Sequence, residues 1–222
     1  MWFIQPDTVI AMRLITIVLS SLLSLLPTIV LAQASAEAGK THFQTCAACH
    51  GTEAQGNADL KAPRLSHLQP QYIEQQLRNF REGIRGGAGS SEAAQQMGPM
   101  AASLPGEQAI AAVAAYIGTL PGGRPPAKVN GDSVLGADYF NQFCGACHGA
   151  KAQGNALMTA VAPTLAGASD WYLVTQLQAF QAGVRGTHEN DIGGRQMRPM
   201  SLLLPNEKVI EDVVTFIYGL GE

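Results

Sequence analysis

Cys46-Ala47-Ala48-Cys49-His50 recurs later in the chain as Cys144-Gly145-Ala146-Cys147-His148, and the two copies use all four cysteines. Two thiols on one turn of chain, followed at once by an imidazole, suit covalent capture of a porphyrin. Each thiol bonds one vinyl-derived carbon, and the adjacent histidine is delivered to the iron from one side. A dithiol redox pair belongs in a βαβ setting and in a single copy. A zinc site needs a second, spaced ligand pair that contiguous Cys-x-x-Cys-His does not supply. The expectation is two covalently bound haem c, on Cys46 and Cys49 and on Cys144 and Cys147, with His50 and His148 as axial iron ligands.

What stands opposite the histidine decides whether such an iron carries electrons or does chemistry. Each half offers one motif, Met97-Gly98-Pro99-Met100 and Met197-Arg198-Pro199-Met200, at the same distance before the last apolar stretch. A lone methionine is usually core filler; recurrence in both copies points to an iron ligand. The prolines predict extended backbone between helices, from which a thioether projects inward. The residues themselves do not separate Met97 from Met100, or Met197 from Met200. His42, His67 and His188 have no counterpart in the other copy and are expected as surface or core histidines. Arg85 and Arg185 are expected to be solvated, with haem propionates as the alternative partners.

The elements that must position these groups repeat. Cys46, Cys49, His50, Gly56 and Asn57 return ninety-eight places later, whereas the residues from Pro63 through Tyr72, Gln76, Phe80, Arg85 and Met97 to Leu120 return after one hundred. Two residues are therefore inserted between Asn155 and Pro163, and the chain is a tandem duplication in which each copy supplies its own core and ligands. The periodicity is helical throughout. A short helix from about Glu37 or Ser133 leads into each haem motif. Tyr72, Ile73, Gln76, Leu77 and Phe80 share a face of a second helix that Gly83 ends, matched by Tyr172 to Phe180 and Gly183. A third helix follows Pro105 or Pro205 and presents Ile110, Val113 and Ile117, or Ile210, Val213 and Ile217. The fold class is all-α, with domains at 35–120 and 133–222 and a linker at 121–132 that opens with Pro121-Gly122-Gly123-Arg124-Pro125-Pro126.

Leu14 to Leu31 is an apolar run preceded by Arg13 and followed by small residues. This is the layout of a secretory signal peptide over residues 1–34, with cleavage between 32 and 36, after Ala32, Ala34 or Ala36, and with translation starting at Met12. The alternative is an uncleaved anchor. Export to the periplasm, where c-type haem is attached in bacteria, follows from either.

Charge is split between the halves. From Glu37 to Lys128 eight basic residues face seven acidic ones, and from Val129 to Glu222 five face nine. Unlike ends suit docking to partners of different potential, with association that weakens in salt. Nothing basic or aromatic points to nucleic acid.

The doubled Cys-x-x-Cys-His, the Pro-x-Leu after each, the Tyr-x-x-x-Gln-Leu helix and the Met-x-Pro-Met before the last helix resemble, as a set, the two-haem class I cytochromes c of the cytochrome c-four group. The resemblance covers nearly all of the chain beyond the signal. It implies tandem class I cytochrome c domains and maps the axial methionines to Met97 and Met197. It also implies that the carbonyls of Pro63 and Pro163 accept a hydrogen bond from the second ring nitrogen of His50 and His148. Pro105 and Pro205 stand where serine is expected, a departure that touches helix capping and not the iron. With histidine and methionine closing both irons, the expectation is outer-sphere electron transfer and no enzyme activity. Electrons pass from a quinol-oxidising complex or dehydrogenase to a terminal oxidase or reductase. The alternatives are a dihaem peroxidase, which needs an open iron, and a haem subunit fixed in an oxidase or dehydrogenase complex.

Overall fold

The computed structural model describes residues 26–221, with side chains from residue 37 onward. The signal segment read from the sequence lies outside the described residues over 1–25. Among the described residues no helix is long and apolar enough to cross a membrane.

The first lobe contains α1 (Leu26–His50), α2 (Pro70–Arg81), α3 (Glu92–Ala102) and α4 (Gly106–Ile117). In the second, α5 (Ser133–Tyr139) runs through a π-turn (Phe140–Cys144) into α6 (Gly145–His148), followed by α7 (Asp170–Gln181), α8 (Ile192–Ser201) and α9 (Glu207–Gly219). The β pairing among the described residues is two isolated bridges, Asn57 with Ala62 and Asn155 with Ala162. The bridged loop is two residues longer in the second lobe, where the repeat arithmetic puts the insertion.

Helix α1 starts well before Glu37, because alanine-rich chain after Pro27 has high helix propensity and meets no breaker until Gly39. Proline in a first turn sacrifices only an N–H that has no helical partner.

In each lobe the first helix crosses the last at a glycine. A Cβ at Gly39 would lie 2.1 Å from the Ala112 carbonyl oxygen, and one at Gly136 would lie 2.0 Å from that of Asp212. The backbones therefore touch. Around the crossings pack Phe43, Ile110, Val113 and Ile117 in one lobe and Phe140, Ile210, Val213 and Ile217 in the other. Phe43 meets Tyr116 at 5.7 Å between ring centroids, and Phe140 meets Phe216 at 5.4 Å.

The two crossings also explain the π-turn. Gly39 precedes Cys46 by seven residues, but Gly136 precedes Cys144 by eight. An α-helix cannot absorb one extra residue without rotating everything beyond it by about 100°. Widening one turn to i→i+5 bonding takes up the residue locally, so Phe140 keeps its core position and Cys144 its register with the haem motif. This third offset escapes a sequence comparison that starts from the cysteines.

Prolines and glycines keep residues 121–132 from continuing a helix, yet this segment is tied down. Asp170, 1% exposed, accepts from the Lys128 and Val129 N–H groups at 2.5 and 2.7 Å through Oδ2. Tyr218 Oη donates to the Pro125 carbonyl at 2.9 Å, and the Arg124 guanidinium lies 3.5 Å from the Tyr218 ring centroid.

His67 is partly buried, with its Nδ1 enclosed and unpartnered and its Cβ beside Gly167 of the other lobe. Burial, and then the neighbouring Arg64 charge, push its pKa from 6.5 to about 3. The folded state thus holds the ring neutral where the unfolded chain binds a proton. Stability therefore falls as pH drops from 6.5 towards 3, by at most about 1.4 kcal/mol per pH unit. His67→Leu removes this contribution, so its loss of thermal stability between pH 7 and pH 5 should be smaller than that of the unaltered protein.

Candidate haem sites

His50 and His148 end α1 and α6 and are only 6% and 4% exposed. The chain turns sharply after each, at Gly51 (φ 81°) and Gly149 (φ 79°), a conformation that costs glycine little. It then returns so that the Gly56 and Gly154 N–H groups donate to the histidine carbonyls at 2.8 and 2.7 Å. The same loops carry Pro63 and Pro163 over the rings. His50 Nδ1 lies 2.8 Å from the Pro63 carbonyl oxygen and His148 Nδ1 lies 2.9 Å from that of Pro163. A carbonyl only accepts, so Nδ1 carries the proton and Nε2 keeps its lone pair for a metal. Burial lowers both imidazole pKa values, against the pull of the proline carbonyls. The neutral ring is the form that binds a metal.

The cysteines fit covalent attachment. All four are unbridged, with Cys49 and Cys147 exposed and Cys46 and Cys144 partly buried. Burial, then repulsion from Cys147, pushes the Cys144 thiol up to about 11, and burial raises that of Cys46 as well. A redox dithiol needs a stabilised thiolate; Cys46 and Cys144 have the opposite environment.

The methionine motifs do not lie between helices as the prolines suggest. Both are inside helices, α3 and α8, which contain Pro99 and Pro199. Each helix is nucleated upstream by a side-chain cap, Ser91 Oγ accepting from the Ala94 N–H at 3.3 Å and Asp191 Oδ1 from the Gly194 N–H at 3.0 Å. A proline late in a capped helix removes one hydrogen bond without ending it. The helical placement distinguishes the paired residues: Met97 and Met197 are partly buried, whereas Met100 and Met200 are 37% and 36% exposed.

Arg85 and Arg185 are not solvated surface residues. Arg85 donates to Gln76 of its own lobe at 2.7 Å and to Tyr172 and Gln176 of the other at 2.6 and 2.8 Å. Arg185 mirrors it, with Gln176 at 2.8 Å and, across the interface, Tyr72 at 3.0 Å and Gln76 at 3.1 Å. Each guanidinium also covers a phenylalanine of its own lobe, Phe80 at 4.6 Å and Phe180 at 4.5 Å. Burial of like charges at one interface is costly, and every one of these hydrogen-bond partners is neutral. Burial works against the Arg185 charge, and the Tyr72 and Tyr172 phenols together with the nearby Asp191 carboxylate more than offset it, so its pKa is raised. The sequence signal was the repeated Tyr-x-x-x-Gln with arginine nine places on; its role was missed because a repeat shows which residues recur and not that they exchange partners between copies.

A family model for cytochrome c matches residues 36–121 and again 133–221. The chain belongs to the cytochrome c family. It is 36% identical over 187 residues to a thiosulfate dehydrogenase electron acceptor of Stutzerimonas stutzeri (strain A1501), covering 80% of this chain and 79% of that one. It is 30% identical over 198 residues to a cytochrome c4 of Azotobacter vinelandii, covering 85% of this chain and 90% of that one. The solved structure of reduced recombinant cytochrome c4 from Pseudomonas stutzeri superposes with a TM-score of 0.65 at 28% identity, over 83% of this chain and 97% of that one. The protein is a dihaem cytochrome of the c4 type: two class I cytochrome c domains in tandem, two covalently bound haem c, and electron transfer as the activity.

Proposed function

We propose that this cytochrome is an exported, periplasmic electron carrier, cleaved from a signal peptide near residues 32–36. In this reading its domains span 35–120 and 133–222, and both irons are closed by histidine and methionine. Cys46 and Cys49, with Cys144 and Cys147, hold the porphyrins. His50 and Met97 ligate one iron, and His148 and Met197 the other. The bound haem supplies one-electron iron chemistry. The chain's own part is to fix each imidazole through a proline carbonyl, to shield one thioether per lobe and to set the arginines at the contact between lobes.

The observation that carries this reading is the double occurrence of a buried histidine whose Nδ1 is committed to a carbonyl, in a lobe whose later proline-containing helix carries one partly buried methionine. With histidine and methionine both on iron, as proposed, no place remains for a substrate, which favours a carrier over a peroxidase. The donor we propose is a dehydrogenase, of the kind named for the relative from Stutzerimonas stutzeri; the acceptor is a terminal oxidase or reductase. Intact mass of the purified protein, with carbon monoxide added to the reduced form at neutral pH, tests the reading. The expected result is two haems, a chain beginning between residues 33 and 37, and no carbon monoxide complex. A complex in either lobe would favour the peroxidase. A retained apolar N-terminus, with co-purification of a larger assembly, would favour a fixed subunit.

A further inference from the structure

The carbonyl of Pro63 and the N–H of Arg64 belong to one peptide group, as do the carbonyl of Pro163 and the N–H of Thr164. Each carbonyl accepts from the histidine of its own lobe. Each N–H is spent on the other lobe: Arg64 N–H donates to Ser169 Oγ at 3.1 Å, and Thr164 N–H donates to Gln69 Oε1 at 2.8 Å. Ser169 and Gln69 are equivalent residues, the N-caps of α7 and α2. Neither side chain caps its own helix. Serine at this position ordinarily accepts from the first-turn N–H groups, and this one, 2% exposed, serves the opposite lobe instead. Gln69 adds a bond from Nε2 to the Ala162 carbonyl at 3.3 Å.

We infer that Ser169 and Gln69 are positioning residues for electron transfer, each setting the donor strength of the axial histidine in the lobe to which it does not belong. An amide that donates through nitrogen becomes a stronger acceptor at oxygen, because hydrogen bonds in a chain polarise one another. A stronger acceptor draws the Nδ1 proton further and makes Nε2 the better iron donor. Better donation stabilises ferric iron and lowers the midpoint potential. Separation of the lobes, or a partner that shifts one against the other, would then raise both potentials without touching either iron. The relay through Gln69 is the stronger, since its bond is shorter and its amide oxygen is the better acceptor. This inference rests on His50 and His148 as iron ligands and is independent of which methionine lies opposite.

The test is a redox titration of the full holoprotein in which NMR signals of each haem assign the two midpoint potentials to their lobes. Ser169→Ala should raise the potential of the first-lobe haem and leave the second in place. Gln69→Met, of similar shape without the acceptor, should do the reverse. Ser169→Thr, which keeps the hydroxyl, should restore the original value. A shift confined to the haem of the substituted lobe, an equal shift of both, or no shift would overturn the inference. A second readout covers variants that loosen the interface. In the unaltered protein the Arg64 and Thr164 amides should be protected from hydrogen exchange, and the His50 Nδ1 proton should move upfield in Ser169→Ala. Rapid exchange of both amides in the unaltered protein would overturn the relay directly.

Discussion

Met97→Ala is expected to leave both haems covalently attached while the midpoint potential of the first-lobe haem falls by an amount on the order of 0.1 V, part of the roughly 0.8 V that axial ligation spans. The two functions are separable because different residues carry them. Cys46 and Cys49 hold the macrocycle, and the proposed thioether only biases the iron between its two states. A soft thioether favours ferrous iron, so its removal favours ferric iron and opens a coordination position. The reduced variant should accordingly bind carbon monoxide in one lobe, and Met197→Ala should do so in the other. Met100→Ala and Met200→Ala remove side chains that are more than a third exposed and should leave both potentials nearly unchanged. Potentiometric titration of the four variants checks the assignment. A fall in Met100→Ala with none in Met97→Ala would move the ligand by one helical turn.

Legibility followed covalent and periodic constraint. Cysteine spacing is read directly because thioether attachment tolerates almost no variation in it, and the apolar faces of α2, α4, α7 and α9 are read from period because burial selects them. The helical state of the methionine motifs was hidden, since a proline signals only its own missing N–H and not the strength of the caps at Ser91 and Asp191 upstream. Least legible was the interface. Arg85 and Arg185 read as solvated charges, because a sequence gives no sign that the hydrogen-bonding capacity of one lobe is spent on the other. Gly39 and Gly136 were equally invisible, shielded by an offset that only the π-turn explains.

Those two glycines give the other large expected effect, and its sign separates two physical accounts. Gly→Ala inside an exposed helix ordinarily stabilises by up to about 1 kcal/mol. Gly193→Ala in α8 should behave so, since the nearest atom to its new Cβ, that of Ala160, is 3.8 Å away. At Gly39 and Gly136 the Cβ would meet a carbonyl oxygen at 2.1 and 2.0 Å, on a helix that cannot yield without moving its own core face. To restore contact distance the crossing helices must separate by more than 1 Å. That separation loosens Phe43 against Ile110 and Val113, or Phe140 against Ile210 and Val213. Overpacking of a rigid site of this kind costs about 3 kcal/mol or more, a large part of what a lobe of this size has. Gly39→Ala and Gly136→Ala should each lower the midpoint temperature of the affected lobe by on the order of 10–20 °C, with native-state hydrogen exchange locating the loss in that lobe alone. Because α1 and the π-turned α5–α6 segment also deliver the haem-binding cysteines, the yield of fully haem-loaded protein should fall in parallel. A rise in stability at either position would mean that propensity outweighs the crossing, and that the helices do not meet backbone to backbone there.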